Sequence, residues 1–243
     1  FLSPKFSGLD PYVPGEQPKD NAYVKLNTNE SPFPPSPIAQ RLAREAAGDL
    51  RLYCDPDAKS LQAAASDYYG VPRECLVFSN GSDDLINFAC MAFCDDSHPA
   101  IFPDVTYGFY PVVCTLNHVP FVTRPLRADF SIDINDYVGC GKTVFLSNPN
   151  AQVGLALPLS DVEAIVKSNP DNVVVVDEAY VDFGAESAVC LTQKYDNILV
   201  LQTLSKSRSL AGGRLGVGIG SPEIIADIHT LRYSTNPYNV NRM

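Results

Sequence analysis

Seven short apolar runs punctuate the chain between residues 75 and 220: CLVFS, PAIFP, VPFVTR, KTVFLS, NVVVVDEA, NILVLQT and RLGVGIG. They are apolar throughout rather than alternating, which is the pattern of strands covered on both faces. Helical segments lie among them: DDLINFACMAF, LSDVEAIVKS and one beginning near Pro222. Strands interleaved with helices predict a largely parallel sheet in an α/β fold. Ser160 and Glu163 read as a capping box for LSDVEAIVKS. Upstream, Ser36 and Pro37 read as the N-cap and first position of IAQRLAREAAGDL. Ser60 reads as the cap of LQAAASDYYG, with Gly70 as its stop. Residues 1–37, rich in Pro and polar residues, read as an extended arm, and residues 38–243 as one large domain.

In an open parallel sheet, ligands gather beyond the carboxyl ends of the strands. Polar residues follow several runs directly: Asn80-Gly81-Ser82-Asp83, Asn148-Pro149-Asn150, Asp177-Glu178-Ala179-Tyr180 and Thr203-Leu204-Ser205-Lys206. Asp177 ends a run of four valines, so its carboxylate is at least half buried and needs a partner. That partner is a structural arginine, a helix start, or a cationic ring nitrogen of a ligand, with Tyr180 three residues on. Lys206 alone reads as readily as a solvated surface group. Its neighbours Thr203, Ser205, Arg208 and Arg214 nevertheless supply the hydroxyl and guanidinium donors of an anion cradle. A lysine beside a bound phosphate and an aldehyde serves as a Schiff-base nucleophile and then as a proton shuttle. Ser82 and Asp83 open a helix whose free amides suit a phosphate. Gly216-Val217-Gly218-Ile219-Gly220 lacks the G-x-G-x-x-G spacing and reads as close strand packing rather than a dinucleotide site.

Composition narrows the partners. The formal net charge of −10 disfavours nucleic acid and acidic membrane surfaces, while leaving room for a small anion in a local cluster of donors. No run of eighteen apolar residues suggests a membrane span, and the first twenty residues lack a secretory pattern. Seven scattered cysteines, with Cys90 and Cys94 on one helix face, read as small buried hydrophobes in a reducing cytoplasm. The three histidines have no companion at metal spacing, so no metal is expected.

Together the stretches KLNTNESPFPPSP, SNGSDD, DVTYGFY, SNPNAQVG, VVDEAYVDF and QTLSKSRSLAGGRLG resemble the histidinol-phosphate aminotransferase branch of the class I/II pyridoxal-5′-phosphate (PLP) aminotransferases. The resemblance runs from about residue 20 to the end and implies a fold type I three-layer α/β/α large domain, with residues 1–37 also contributing to a small domain. It implies that Lys206 binds the cofactor covalently and moves the substrate proton. Asp177 would bind the pyridinium nitrogen, Tyr180 the ring's phenolic oxygen, and Tyr107 would stack on the ring. Phosphate would be held by Ser82, Asp83, Thr203, Ser205 and Arg214, with Tyr53 reaching across from the second subunit of a homodimer. Asn29 and Glu30 would approach the substrate.

Two departures stand out. The family loop NPNNPTG is here Asn148-Pro149-Asn150-Ala151-Gln152-Val153-Gly154, so the contact of its ring-binding asparagine is lost at Ala151 or passes to Asn150. The family also continues into a C-terminal small domain that carries the substrate-carboxylate arginine, and that domain is expected to be absent from this chain. The implied reaction moves an amino group from histidinol phosphate, the amino donor, to 2-oxoglutarate, a 2-oxo acid, in histidine biosynthesis. The alternatives are a PLP-dependent decarboxylase of a phosphorylated amino acid such as threonine phosphate, and a non-catalytic binding protein that retains the fold.

Overall fold

The computed structural model describes residues 2–6, 8–17 and 24–238. Parts of the predicted arm and the last five residues of the predicted large domain lie outside them. All seven apolar runs are strands: β1 (Leu76–Ser79), β2 (Ala100–Pro103), β3 (Phe121–Arg124), β4 (Thr143–Ser147), β5 (Val174–Asp177), β6 (Ile198–Thr203) and β7 (Gly216–Gly220). They form one sheet in the order β1-β7-β6-β5-β4-β2-β3. β7 runs antiparallel to both its neighbours, and every other pairing is parallel.

Among the described residues six α-helices accompany the sheet: α1 (Pro37–Ala46), α2 (Lys59–Tyr69), α3 (Ser82–Phe93), α4 (Phe109–Leu116), α5 (Leu159–Ser168) and α6 (Pro222–Thr235). Successive strand residues point to opposite faces, and the two faces feed two cores. Val174, Val176, Ile198 and Val200 meet α2 and α5 residues such as Ala65, Val162 and Ile165. Val175, Leu199 and Leu201 meet Leu85, Phe88, Tyr110 and Ile225 of α3, α4 and α6. The layers are therefore helix, sheet, helix, and the near-continuous apolar strands follow from burial on both sides. None of the helices is long and apolar enough to cross a membrane among the described residues.

Two local expectations are corrected, and one helix was not foreseen. The α2 helix starts at Lys59, so Ser60 lies within its first turn, and the Asp55 carboxylate accepts the Lys59 amide at 3.1 Å instead. Pro158, not Ser160, precedes α5, and Glu163 faces outward to the Tyr195 hydroxyl at 3.0 Å. The segment FYPVVCTL is helix α4, although its β-branched and aromatic residues and Pro111 weigh against one. Pro111 falls in the first turn, where its missing N–H has no intrahelical partner to lose. Ser36 and Gly70 bound their helices as expected: Ser36 Oγ accepts from Ala39 and Gly70 is left-handed. Ser221, not singled out from the sequence, caps α6 by accepting from the Ile224 amide. No disulfide is formed among the described residues; Cys90, Cys94 and Cys114 are buried, whereas Cys190 is exposed.

Candidate functional site

The carboxyl ends of β4, β5 and β6 and the start of α3 surround one cleft. Its walls are Ser82, Asp83, Tyr107, Ser147, Ala151, Asp177, Ala179, Tyr180, Thr203, Ser205, Lys206 and Arg214, enclosing about 510 Å³ that opens partly to solvent.

Asp177 is the last residue of β5 and shares the sheet face of Val175, so its side chain joins the α3/α4 layer. It is 3% exposed. The Tyr110 hydroxyl donates to its Oδ2 at 2.9 Å and the Ala179 amide to its Oδ1 at 3.2 Å. No cation pairs with it among the described residues. Burial raises its carboxyl to about 6, against the lowering effect of those two hydrogen bonds. Ion pairing with a structural arginine, one of the partners open from sequence, is absent. Tyr110 was not singled out from the sequence; its place beneath Asp177 depends on α4, which was also missed.

Lys206 follows β6 on the loop that turns back toward β7. Its Nζ donates to the Thr28 carbonyl at 2.9 Å and lies 5.8 Å from the centre of the Tyr180 ring. Asn29 Nδ2 donates to the Tyr180 hydroxyl at 2.9 Å, so the arm lies across the mouth of the cleft. Glu30 is turned toward Lys25 and accepts from Thr28 Oγ1 at 2.8 Å. Those hydrogen bonds, Lys25 first, hold its carboxyl below the usual range.

The third wall is a cup at the start of α3. Gly81 adopts φ 84°, and the first amides of α3 have no intrahelical acceptor. Arg214, itself at φ 48°, reaches over the cup: its Nη2 donates to the Asn80 carbonyl at 3.1 Å and stands 3.6 Å from Asp83 Oδ2. The Tyr107 hydroxyl donates to Asp83 Oδ1 at 2.9 Å, and burial, then the Asp83 charge, pushes its phenol well up. Thr203 Oγ1 donates to Ser205 Oγ at 3.0 Å on the facing side.

β7 sits tight beneath the cup. A Cβ at Gly216 would lie 2.4 Å from the Gly81 carbonyl carbon and 2.6 Å from the Ser82 amide nitrogen. These are backbone atoms that no rotamer change relieves. Gly216→Ala is therefore expected to cost about 3 kcal/mol of stability or more. It also displaces the Gly81–Ser82 turn, so phosphate protection of the folded protein in thermal melts should shrink with it.

Not every expected residue comes to the cleft. Asn150 is buried elsewhere: its amide donates to the Val105 carbonyl at 2.8 Å and its Oδ1 accepts from Gln152, while Ala151 takes the place on the cleft wall. The tight turn after β4 consumes the Asn150 side chain, so the asparagine contact is not passed one residue upstream. Arg208 also leaves the anion cradle. It pairs with Asp182 at 3.0 Å and donates to Tyr69 and Gln202 on the far face of the sheet. Tyr53 lies outside the cleft of its own chain, 80% exposed and stacked on Tyr238 at 4.6 Å. Neither the three histidines nor the cysteines form a metal-binding group among the described residues.

Comparison with known proteins agrees with this geometry. Residues 21–238 match the family described as aminotransferase class I and II. The histidinol-phosphate aminotransferase of Brachyspira hyodysenteriae is 48% identical over the whole chain, which covers 69% of that relative. A putative histidinol-phosphate aminotransferase from Erwinia carotovora atroseptica superposes with a TM-score of 0.78 at 27% identity, over 84% of this chain and 62% of that one. The Sinorhizobium meliloti enzyme, solved in complex with pyridoxal-5′-phosphate, shares the fold with a TM-score of 0.78 at 24% identity, over 86% of this chain and 58% of that one. The chain belongs to the class I and II aminotransferases, and it spans 58% to 69% of the length of these relatives.

Proposed function

We propose that this chain forms the cofactor-binding large domain of a PLP-dependent histidinol-phosphate:2-oxoglutarate aminotransferase, acting in the cytoplasm as a homodimer. The observation that carries the reading is Asp177: a buried carboxylate without a cationic partner among the described residues, on the wall of the cleft that also holds Lys206. An isolated buried carboxylate is costly, and a protonated ring nitrogen supplies the missing positive charge. The free amides of α3, the Thr203 and Ser205 hydroxyls and Arg214 form the donor set a phosphate requires. The site therefore fits the cofactor at both ends.

When bound, PLP supplies an aldehyde that joins amines covalently and a ring that takes up electrons from the substrate Cα. Lys206 would supply the amine, giving up its contact with the Thr28 carbonyl, and would serve as the base for the Cα proton. Asp177, oriented by Tyr110 and Ala179, would hold the ring nitrogen and favour its protonated form. Tyr180 would hold the ring oxygen by its hydroxyl, which Asn29 orients. Tyr107, its phenol fixed by the bond to Asp83, would pack against the ring. Arg214 would hold the phosphate with its planar fork, which a lysine does not reproduce.

Tyr53 is exposed and outside its own cleft, which supports a role in completing the phosphate cup of a second copy. Tyr53→Phe is expected to raise the dissociation constant for PLP about tenfold, the loss of one hydrogen bond to a charged group. A monomer in analytical ultracentrifugation that binds PLP as tightly as wild type excludes the shared site.

The activity is tested by incubating the purified protein with PLP, histidinol phosphate and 2-oxoglutarate. Glutamate should form in step with consumption of histidinol phosphate. Release of CO₂ without glutamate identifies a decarboxylase, and PLP binding with neither product contradicts the proposal.

A further inference from the structure

Behind the cleft, on the opposite face of the sheet, a chain of polar contacts leads to the loop that carries Lys206. β5 and β6 pair in parallel with Asp177 opposite Leu201. Alternation then sends Asp177 and Thr203 to the cleft face, and Glu178 and Gln202 to the other. Glu178 is 2% exposed and Gln202 3%. The Glu178 carboxylate accepts from the Ala188 amide at 2.6 Å, the Ser187 hydroxyl at 2.7 Å and Gln202 Nε2 at 2.8 Å. Burial raises this carboxyl, against those three donors, and no cation pairs with it among the described residues.

Gln202 Oε1 in turn accepts from the Tyr69 hydroxyl at 2.8 Å and from Arg208 Nη2 at 2.9 Å. Arg208 also donates from Nη1 to Tyr69 at 3.0 Å. Its remaining edge meets Asp182 as a fork, Nε to Oδ2 at 3.0 Å and Nη2 to Oδ1 at 3.2 Å. The Ser207 hydroxyl donates to the same carboxylate. Burial opposes ionisation of Asp182, but Ser207 and Arg208 outweigh it and hold the carboxyl below its ordinary value.

The spacing gives this network a consequence for the cleft. Arg208 is two residues beyond Lys206, and Asp182 is two residues beyond Tyr180. A two-pronged guanidinium–carboxylate contact fixes both separation and rotation, so it locks the Lys206 loop against the turn that carries Tyr180. Gln202, rooted in β6 beside Glu178 of β5, anchors that lock to the rigid sheet. An apolar filling of the same space would serve packing as well or better, whereas only a directional contact sets an angle.

We propose that Arg208 and Asp182, backed by Gln202 and Glu178, are positioning residues that orient the Lys206 amine toward Tyr180 and Asp177. The inference rests on the reading of Lys206 as the cofactor-binding amine and adds the far-face residues that aim it.

Two measurements on the whole protein test it: the rate at which the cofactor-free protein captures PLP, and the pH midpoint of the visible spectrum of the lysine-bound cofactor. Asp182→Asn should slow capture about tenfold, as expected for a misplaced reacting group. It should also displace the midpoint by about 0.5 pH unit or more, because the charges facing the amine are rearranged. Arg208→Lys keeps the charge but loses the fork, so it should change both quantities in the same direction. Ser207→Ala removes one donor to Asp182 and should produce the same changes to a smaller extent; it decides the matter alone if the other two variants do not fold. Lower melting temperatures with wild-type capture rate and midpoint in every folded variant make the network purely structural and overturn the proposal. A wild-type protein that captures no PLP overturns the reading of Lys206 as well, which separates the two failures.

Discussion

Lys206→Ala should remove the visible absorbance of the PLP-loaded protein and lower turnover by at least about 10⁴-fold, since one residue serves as both covalent anchor and proton carrier. No second lysine lines the cleft among the described residues, so no neighbouring amine takes over. The variant should fold, because among the described residues the amine makes one hydrogen bond, to the Thr28 carbonyl, and lies over the Tyr180 ring in a cleft that opens partly to solvent. Non-covalent PLP should still bind through the α3 amides and Arg214, with a spectrum of free aldehyde. Equilibrium dialysis with absorbance separates these states. An undiminished visible band in the variant would sink the assignment of Lys206.

Asp177→Asn should produce two effects of opposite sign. In the cofactor-free protein the wild-type carboxyl titrates at about 6 and in the unfolded chain near 3.8, because burial disfavours the charge. A raised carboxyl contributes its stability fully below the unfolded value and loses it as pH rises through the folded one. Wild type is therefore handicapped above pH 6, and asparagine is not. The variant should gain relative stability between about pH 4 and pH 7, reaching on the order of 3 kcal/mol at the upper end. Tyr110 remains a partner for the amide by turning its hydroxyl, so the gain is not lost to an unsatisfied group. With PLP bound the order reverses, because the ring nitrogen loses its counter-charge, and turnover should fall about 10³-fold, the size of one preorganised electrostatic contact. Thermal melts across pH, with and without PLP, read both effects. Identical pH profiles for the two free proteins contradict the burial argument.

Much of the fold is written in the strands. Burial on both faces makes each run apolar from end to end, so all seven are visible without tertiary information. The same property marks the site: where a run such as Val173 to Val176 ends in Asp177, or Ile198 to Leu201 leads to Thr203 and Lys206, the switch to polar residues locates the open end of the sheet. What stayed hidden depends on which face a residue takes. Glu178 looked like part of the cleft edge, yet strand alternation carries it to the opposite side beside Gln202, and Arg208 goes with them. That parity was present in the sequence, since Val175 and Asp177 share one face and Val176 and Glu178 the other. Asn150 was not recoverable in this way. A turn, not a strand, sets its direction, and the Val105 carbonyl claims its amide. The α4 helix was hidden because tertiary packing of Tyr110 and Val113 overrides weak local propensity.

Lys206 and Asp177 stand at opposite ends of one ring in this account, and the attachment point is directly measurable. Borohydride reduction of the wild-type protein loaded with PLP, followed by proteolysis and mass spectrometry, should place the pyridoxyl group on the peptide containing Lys206 and on no other. Modification of a different lysine, or a protein that retains no pyridoxyl group after reduction, contradicts it.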